Sequence, residues 1–201
     1  MTAINHPTSP GFSSVRFELE RKTGIVESSF TGAQQVYSYP SFSRWRATVS
    51  LPPLGQSDWA SWSAFFAKLK GRNGTFLLAD PSYQGIRGDA AGTPTVNGNV
   101  AARATTMSID GLTNTDGDTV FRAGDYISVN NILLMITDDA TVTSGAATVT
   151  FEPAIKSAVT DGATVEITSP KGEFRLDTDI VGWDKDINNY YNVTFSCTEA
   201  Y

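Results

Sequence analysis

The chain has 201 residues, 40 % of them hydrophobic and 18 % charged, enough apolar material for a packed core and too much for a disordered chain. Twenty-one acidic against fifteen basic residues leave a net charge of −6, and no Lys/Arg run occurs, so a nucleic-acid-binding face is not expected. One cysteine, Cys197, and one histidine, His6, exclude an intramolecular disulfide and the usual His/Cys zinc set.

The start, MTAINHPTSPGFSS, has neither a basic n-region nor an apolar run, so no secretory signal is expected, and no apolar window is long enough for membrane insertion. Pro7, Pro10 and Gly11 make residues 1–11 an extended N-terminal arm. Removing residues 1–10 is expected to weaken stacking between assembled copies and leave the monomer folded. VRFELE then alternates, with Val15, Phe17 and Leu19 on one face and Arg16, Glu18 and Glu20 on the other, the period of a half-buried strand. Residues 27–43 are polar but carry Phe30, Tyr37, Tyr39 and Phe42. These aromatics either cover a core edge from a hairpin or long loop, or form a subunit-contact surface.

Trp45, Ala47, Val49 and Leu51 point inward on the next strand, with Arg44, Arg46, Thr48 and Ser50 outward, until Pro52-Pro53 ends it. A helix is expected near 57–70, with Ser57 as N-cap, Asp58 in its first turn, Lys68 and Lys70 in its last and Gly71 as the stop. Trp59, Trp62, Phe65, Phe66 and Leu69 form one apolar stripe at helical spacing, read as core. A buried Trp59 truncated to Ala would cost on the order of 3–5 kcal/mol. An Asn73-Gly74 turn and the strand Phe76-Leu77-Leu78 follow.

From Gly85 to Pro170 the composition turns small and polar, with short β runs at Met107–Ile109, Tyr126–Val129, Ile132–Ile136, Ala147–Phe151 and Val165–Ile167. Turn signals such as Asp116-Gly117, Asn130-Asn131, Ser144-Gly145 and Asp161-Gly162 separate them, the spacing of a small barrel or sandwich. Amphipathic strands return after Gly172, with Phe174 and Leu176, then Val193, Phe195 and Cys197 on one face. The fold class is therefore mainly β, a sandwich or barrel with one α-helix. Residues 12–83 and 171–201 form a discontinuous core domain and 84–170 an inserted small β-barrel, which predicts that Tyr83 and Lys171 are neighbours.

Chemistry is sparse. His6 lies in the arm, Cys197 reads as a core thiol, and the glycines fall at turns and not in a phosphate-cradling loop. Asp116/Asp118, Asp138-Asp139 and Asp184/Asp186 are the candidate calcium-ligating acids, yet none has the calcium-loop spacing, so they read as solvated turn acids. No carboxylate pair is selected for glycoside hydrolysis. No catalytic, cofactor-binding or metal residue is assigned, and an enzyme is not expected.

The order of strand, aromatic loop, RWRATVSLPPL strand, single helix DWASWSAFFAKLKG, strand FLLADP and closing strand resembles the ring-forming core of tail proteins of long-tailed bacteriophages. The stretch FRAGDYISVNNILLMITDDATVTSGAATVTFEPAI, followed by DGATVEITSPKGEFRL, is similar to a module of phage and prophage minor tail proteins. The resemblance implies a distal tail protein: a ring, usually hexameric, at the tip of the tail tube in the virion. Its partners would be the tube protein, the hub, and fibre or baseplate proteins, with genomic DNA passing through the channel without specific binding. A major tube protein or another minor tail component is the alternative within that class. A glycan-binding adhesin module is the alternative outside it, and its signature would be exposed Trp/Tyr platforms on the inserted domain.

Overall fold

Period-two alternation and the one helical stripe dictate the architecture. The computed structural model describes residues 3–38 and 43–200, and the chain is mainly β with one α-helix. In chain order the first part comprises β1 (Ile4–Asn5), β2 (Ser14–Glu20), β3 (Thr23–Glu27), β4 (Gln34–Ser38), β5 (Arg44–Ser50), α1 (Gln56–Leu69) and β6 (Phe76–Leu78). The middle comprises β7 (Gly92–Val96), β8 (Thr106–Leu112), β9 (Thr119–Phe121), β10 (Tyr126–Val129), β11 (Ile132–Ile136), β12 (Ala140–Thr141), β13 (Ala147–Glu152) and β14 (Val165–Glu166). The last part comprises β15 (Gly172–Leu176), β16 (Asp184–Lys185), β17 (Tyr191–Asn192) and β18 (Thr194–Glu199).

Six strands from the two ends of the chain form one sheet in the order β1-β6-β15-β18-β5-β2. Its inner face buries Trp45, Ala47, Val49, Phe76, Phe174, Phe195 and Cys197 against α1, which supplies Trp62, Phe65, Phe66 and Leu69. Its outer face stays polar, the pattern of an antiparallel sheet with one wet side. Trp62 is fully buried and meets Phe65, Phe66 and Phe195 ring to ring.

Several details differ from the sequence expectations. The helix begins after Gly55, not Ser57, because Leu54 is clamped to Tyr191 by two backbone hydrogen bonds of 2.9 Å and the helix follows at once. Trp59 is only half-buried, stacked on Tyr191 at 5.2 Å and tilted against Trp183 at 4.8 Å. Lys70 takes the left-handed cap conformation, and Gly71 follows with φ of 67°, where a side chain would collide with Asp179. The arm is tied down: β1 pairs parallel with β6, and the His6 ring stacks on Trp62 at 6.1 Å and touches Phe12 at 5.1 Å.

The middle strands form a second sheet, in the order β14-β10-β11-β13-β8-β7. It curls until its ends nearly meet, through the Thr95–Thr164 bridge and two hydrogen bonds of 2.8 Å between Val96 and the Ala163–Gly162 backbone. A separate apolar cluster fills it, including Ile109, Val120, Phe121, Ile127, Leu134, Val149 and Phe151. A short β9–β12 ribbon lies beside it. Leu133 leaves this cluster and packs into the core of the first sheet, where its carbonyl accepts a 2.9 Å hydrogen bond from the Trp45 indole. Tyr83 donates to the Ile167 carbonyl at 2.6 Å near the same junction.

Candidate functional site

Two hairpins leave the first sheet at opposite ends and expose apolar side chains. β3 and β4 join β2 to β5 at the Glu20/Arg44 end, with Ile25 opposite Val36 and Gly24 opposite Tyr37. Phe30, in its turn, is 98 % exposed, and Ile25, Val26, Val36 and Tyr37 are exposed as well. Alternation places Ile25 and Val36 on one face and Val26 and Tyr37 on the other, so neither face is clad in polar groups. A lone two-stranded ribbon is marginal in water. This one gains from a surface that covers it.

The second hairpin, β16–β17, joins β15 to β18 at the Ser50 end of the sheet, since Thr194 pairs with Ser50. Seven residues of β5 separate the two ends, about 20 Å of strand. Around it Ile180, Trp183, Ile187 and Tyr190 are exposed. Trp183 and Tyr191 flank Trp59, and the Lys185 ammonium sits 5.4 Å from the Tyr191 ring centre. The exposed hydrophobics of the described residues thus fall on two projections and not over the whole surface.

On the outer face of the sheet Arg44, Arg46, Arg72 and Arg175 surround a concavity of about 420 Å³ with Leu176, Asp177, Thr198 and Glu199. Arg44 pairs with Glu20 at 2.8 Å and Arg46 with Asp177 at 3.0 Å. The Arg44 hydrogen bond holds the Glu20 carboxyl below its ordinary range, and Asp177 raises Arg46. Thr198 donates its hydroxyl to Asp177. The guanidiniums of Arg72 and Arg175 have no carboxylate partner among the described residues.

Glu199 is the buried ionisable group of this region. Its Oε2 accepts from the Trp45 backbone N–H at 3.1 Å, while its Oε1 has no hydrogen-bond partner. Burial pushes its pKa up to about 7, against the pull of that hydrogen bond and of Lys156 and Arg44. Burial likewise lifts Tyr83 and Tyr126, at the junction of the two sheets, to about 12, and pushes the Cys197 thiol up. Tyr83, Tyr126 and Cys197 are therefore protonated near neutrality.

The expected contact residues are distributed as follows. Phe30 and Tyr37 sit on the exposed β3–β4 hairpin; Tyr39 and Phe42 lie outside the described residues. The turn acids are engaged by neutral donors: Asp116 accepts from Ser144 N–H at 2.7 Å, Asp118 from Thr115 N–H at 3.0 Å, Asp139 from Ala123 N–H at 2.9 Å and Asp186 from Asn188 N–H at 2.8 Å. Among the described residues no three His, Cys, Asp or Glu side chains converge as a metal set. Among the described residues no helix is long and apolar enough to cross a membrane. Compared with models of protein families the sequence matches none, and compared with curated proteins it matches none.

Sequence reasoning missed Ile25, Val26 and Val36, which lie in short, largely polar stretches with no sustained period-two pattern to mark them. It also missed the β16–β17 group, where polar WDKDINN masks the aromatic content. The arginine concavity draws on residues 44, 46, 72 and 175, and no local pattern joins them. Only the outward placement of Arg44 and Arg46 was legible.

Proposed function

We propose that this chain is a structural subunit of a long-tailed bacteriophage tail, a distal tail protein. Its copies close into a ring, six by the resemblance, at the end of the tail tube. The ring joins the tube to the hub, baseplate and fibres, and the chain resides in the virion tail. One observation carries this reading: two different apolar hairpins project from opposite ends of one sheet. Unlike ends meet heterologously, and heterologous contacts either close into rings or extend into tubes. The outer edge of β2 supports it too, since it has no ladder partner among the described residues and bears the alternating charges Arg16, Glu18 and Glu20. Charges of that kind hold off indiscriminate pairing yet leave a defined neighbour room to pair. The net charge of −6 suits a channel along which DNA slides without being held.

Immunogold labelling, with antibody against the chain, of tail particles from cells that make it tests the assignment. Gold at the tail tip supports a distal tail protein, gold along the shaft a tube protein, and unlabelled particles refute both. A second reading, glycan binding, is favoured by the exposed Trp183 and Tyr190 beside Trp59 and Tyr191, rings on which a sugar face can stack. The exposed Trp183 and Tyr190 flank the β16–β17 hairpin, outside residues 84–170, where the signature of an adhesin module would lie. A glycan array with specific hits that vanish in Trp183→Ala would support it.

A further inference from the structure

Charge is divided unevenly along the chain. Residues 84–170 hold ten acidic and four basic side chains, net −6, whereas the remainder balances eleven against eleven. The whole net charge of the protein therefore resides on the barrel segment. Of its acids, Glu152 pairs with Arg21 at 3.5 Å and Asp125 with Arg87 at 3.2 Å. Asp116, Asp118, Asp138 and Asp139 have no cationic partner among the described residues.

Those four acids bracket one short ribbon. Asp118 directly precedes β9 and Asp139 directly precedes β12, and the two strands pair antiparallel, so the acids mark both ends of a ribbon about 10 Å long. Asp116 reaches Ser144 at one end, and Asp139 is fixed by the Ala123 N–H at the other. Their carboxylates are held by turn hydrogen bonds and retain lone pairs for a further donor.

The outer-face concavity presents the complement. Arg44 and Arg46 are held by Glu20 and Asp177, whereas Arg72, beyond the end of α1, and Arg175, on β15, carry planar guanidiniums with no carboxylate opposite. Guanidinium meets carboxylate in two parallel hydrogen bonds, which fixes orientation as well as attraction. Acids interleave with the arginines here, so the surface offers discrete anchor points and not the continuous positive track that a nucleic-acid backbone requires.

We propose that the arginine concavity of one copy receives the acidic β9–β12 ribbon of a second copy, with Arg72 and Arg175 pairing the Asp116/Asp118 or Asp138/Asp139 carboxylates. Each copy carries one of each surface, so the contact is heterologous and repeats around a ring. The proposal rests on the reading that copies associate and specifies the chemistry that joins them. It also predicts salt-sensitive association, because the paired groups are exposed before contact.

Sedimentation of the full chain over a concentration series, at low and high salt, tests it. Arg72→Glu/Arg175→Glu and Asp116→Lys/Asp118→Lys/Asp138→Lys/Asp139→Lys are each expected to weaken association at least tenfold. The arginine pair should do so with unchanged melting temperature, and the aspartate set with a lowered one but a folded circular dichroism spectrum, since it removes turn hydrogen bonds. A chain carrying both sets of changes is expected to recover association. Wild-type association that neither charge set nor salt disturbs overturns the inference and leaves the ring reading standing. A wild type that stays monomeric at every concentration overturns the ring reading and this inference with it. Retention of a short DNA duplex by Arg72 and Arg175, with association unaffected by their reversal, assigns the pocket to a polyanion and also overturns the proposal.

Discussion

Glu199→Gln probes the buried carboxyl beneath the outer face and gives a pH-dependent readout. Glu199 is 4 % exposed, shares a backbone hydrogen bond with Trp45 and leaves Oε1 without a partner. Burial raises its pKa from 4.5 to about 7, so between these values the folded chain binds more protons than the unfolded one. Stability from this group is therefore fully present below pH 4.5, falls as pH rises, and is lost above about 7. The shift corresponds to about 3 kcal/mol. Glutamine keeps the shape, stays neutral at every pH and still accepts from the Trp45 N–H. Urea denaturation of both proteins from pH 4.5 to 8 should show the variant gaining about 3 kcal/mol over wild type across that range, roughly 6–12 °C in melting temperature. Parallel stability profiles would refute the reasoning, because they would mean that the carboxyl is solvated or paired when charged.

Trp62→Ala should cost about 3–5 kcal/mol in chemical denaturation, and Trp59→Ala, which loses only part-exposed stacking, about 1–2 kcal/mol; equal costs would contradict the assigned burial. Deleting residues 1–10 should lower monomer stability by about 1–3 kcal/mol, because it strips β1 from β6 and His6 from Trp62. An unchanged melting temperature after that deletion would restore the free arm expected from its prolines. Ile25→Ser/Phe30→Ser/Val36→Ser should leave the circular dichroism spectrum and melting temperature of the monomer unaltered and weaken its association in sedimentation. A loss of monomer stability would show that these side chains serve the fold and not a contact.

What was legible in the sequence follows from the range of the forces involved. β2, β5 and β18 alternate with period two because one face is buried and the other wet, and α1 shows its stripe because one face meets the sheet. β7 was not legible: GTPTV carries Gly92 and Pro94, both poor in strands, and it is held by pairing with β8 across a bulge. There a side chain on Gly92 would collide with the Gly111 carbonyl. β1 and β12 exist through partners distant in sequence, so no local preference announces them, whereas β14 falls within the expected Val165–Ile167 run and β16–β17 is a local hairpin hidden by its polar residues. Trp59 follows the helical stripe yet sits at its margin, because the β16–β17 hairpin covers it only in part. Phe30 and Tyr37 were legible as aromatics in a polar stretch; their exposure required the hairpin to stand away from both sheets.

The mass of the purified chain under native conditions, measured over a concentration series, tests most directly whether copies assemble. The account predicts a closed species at a fixed integral multiple of the monomer, six copies in the reading proposed, that dissociates as salt rises. A single monomer mass at every concentration and salt would contradict it.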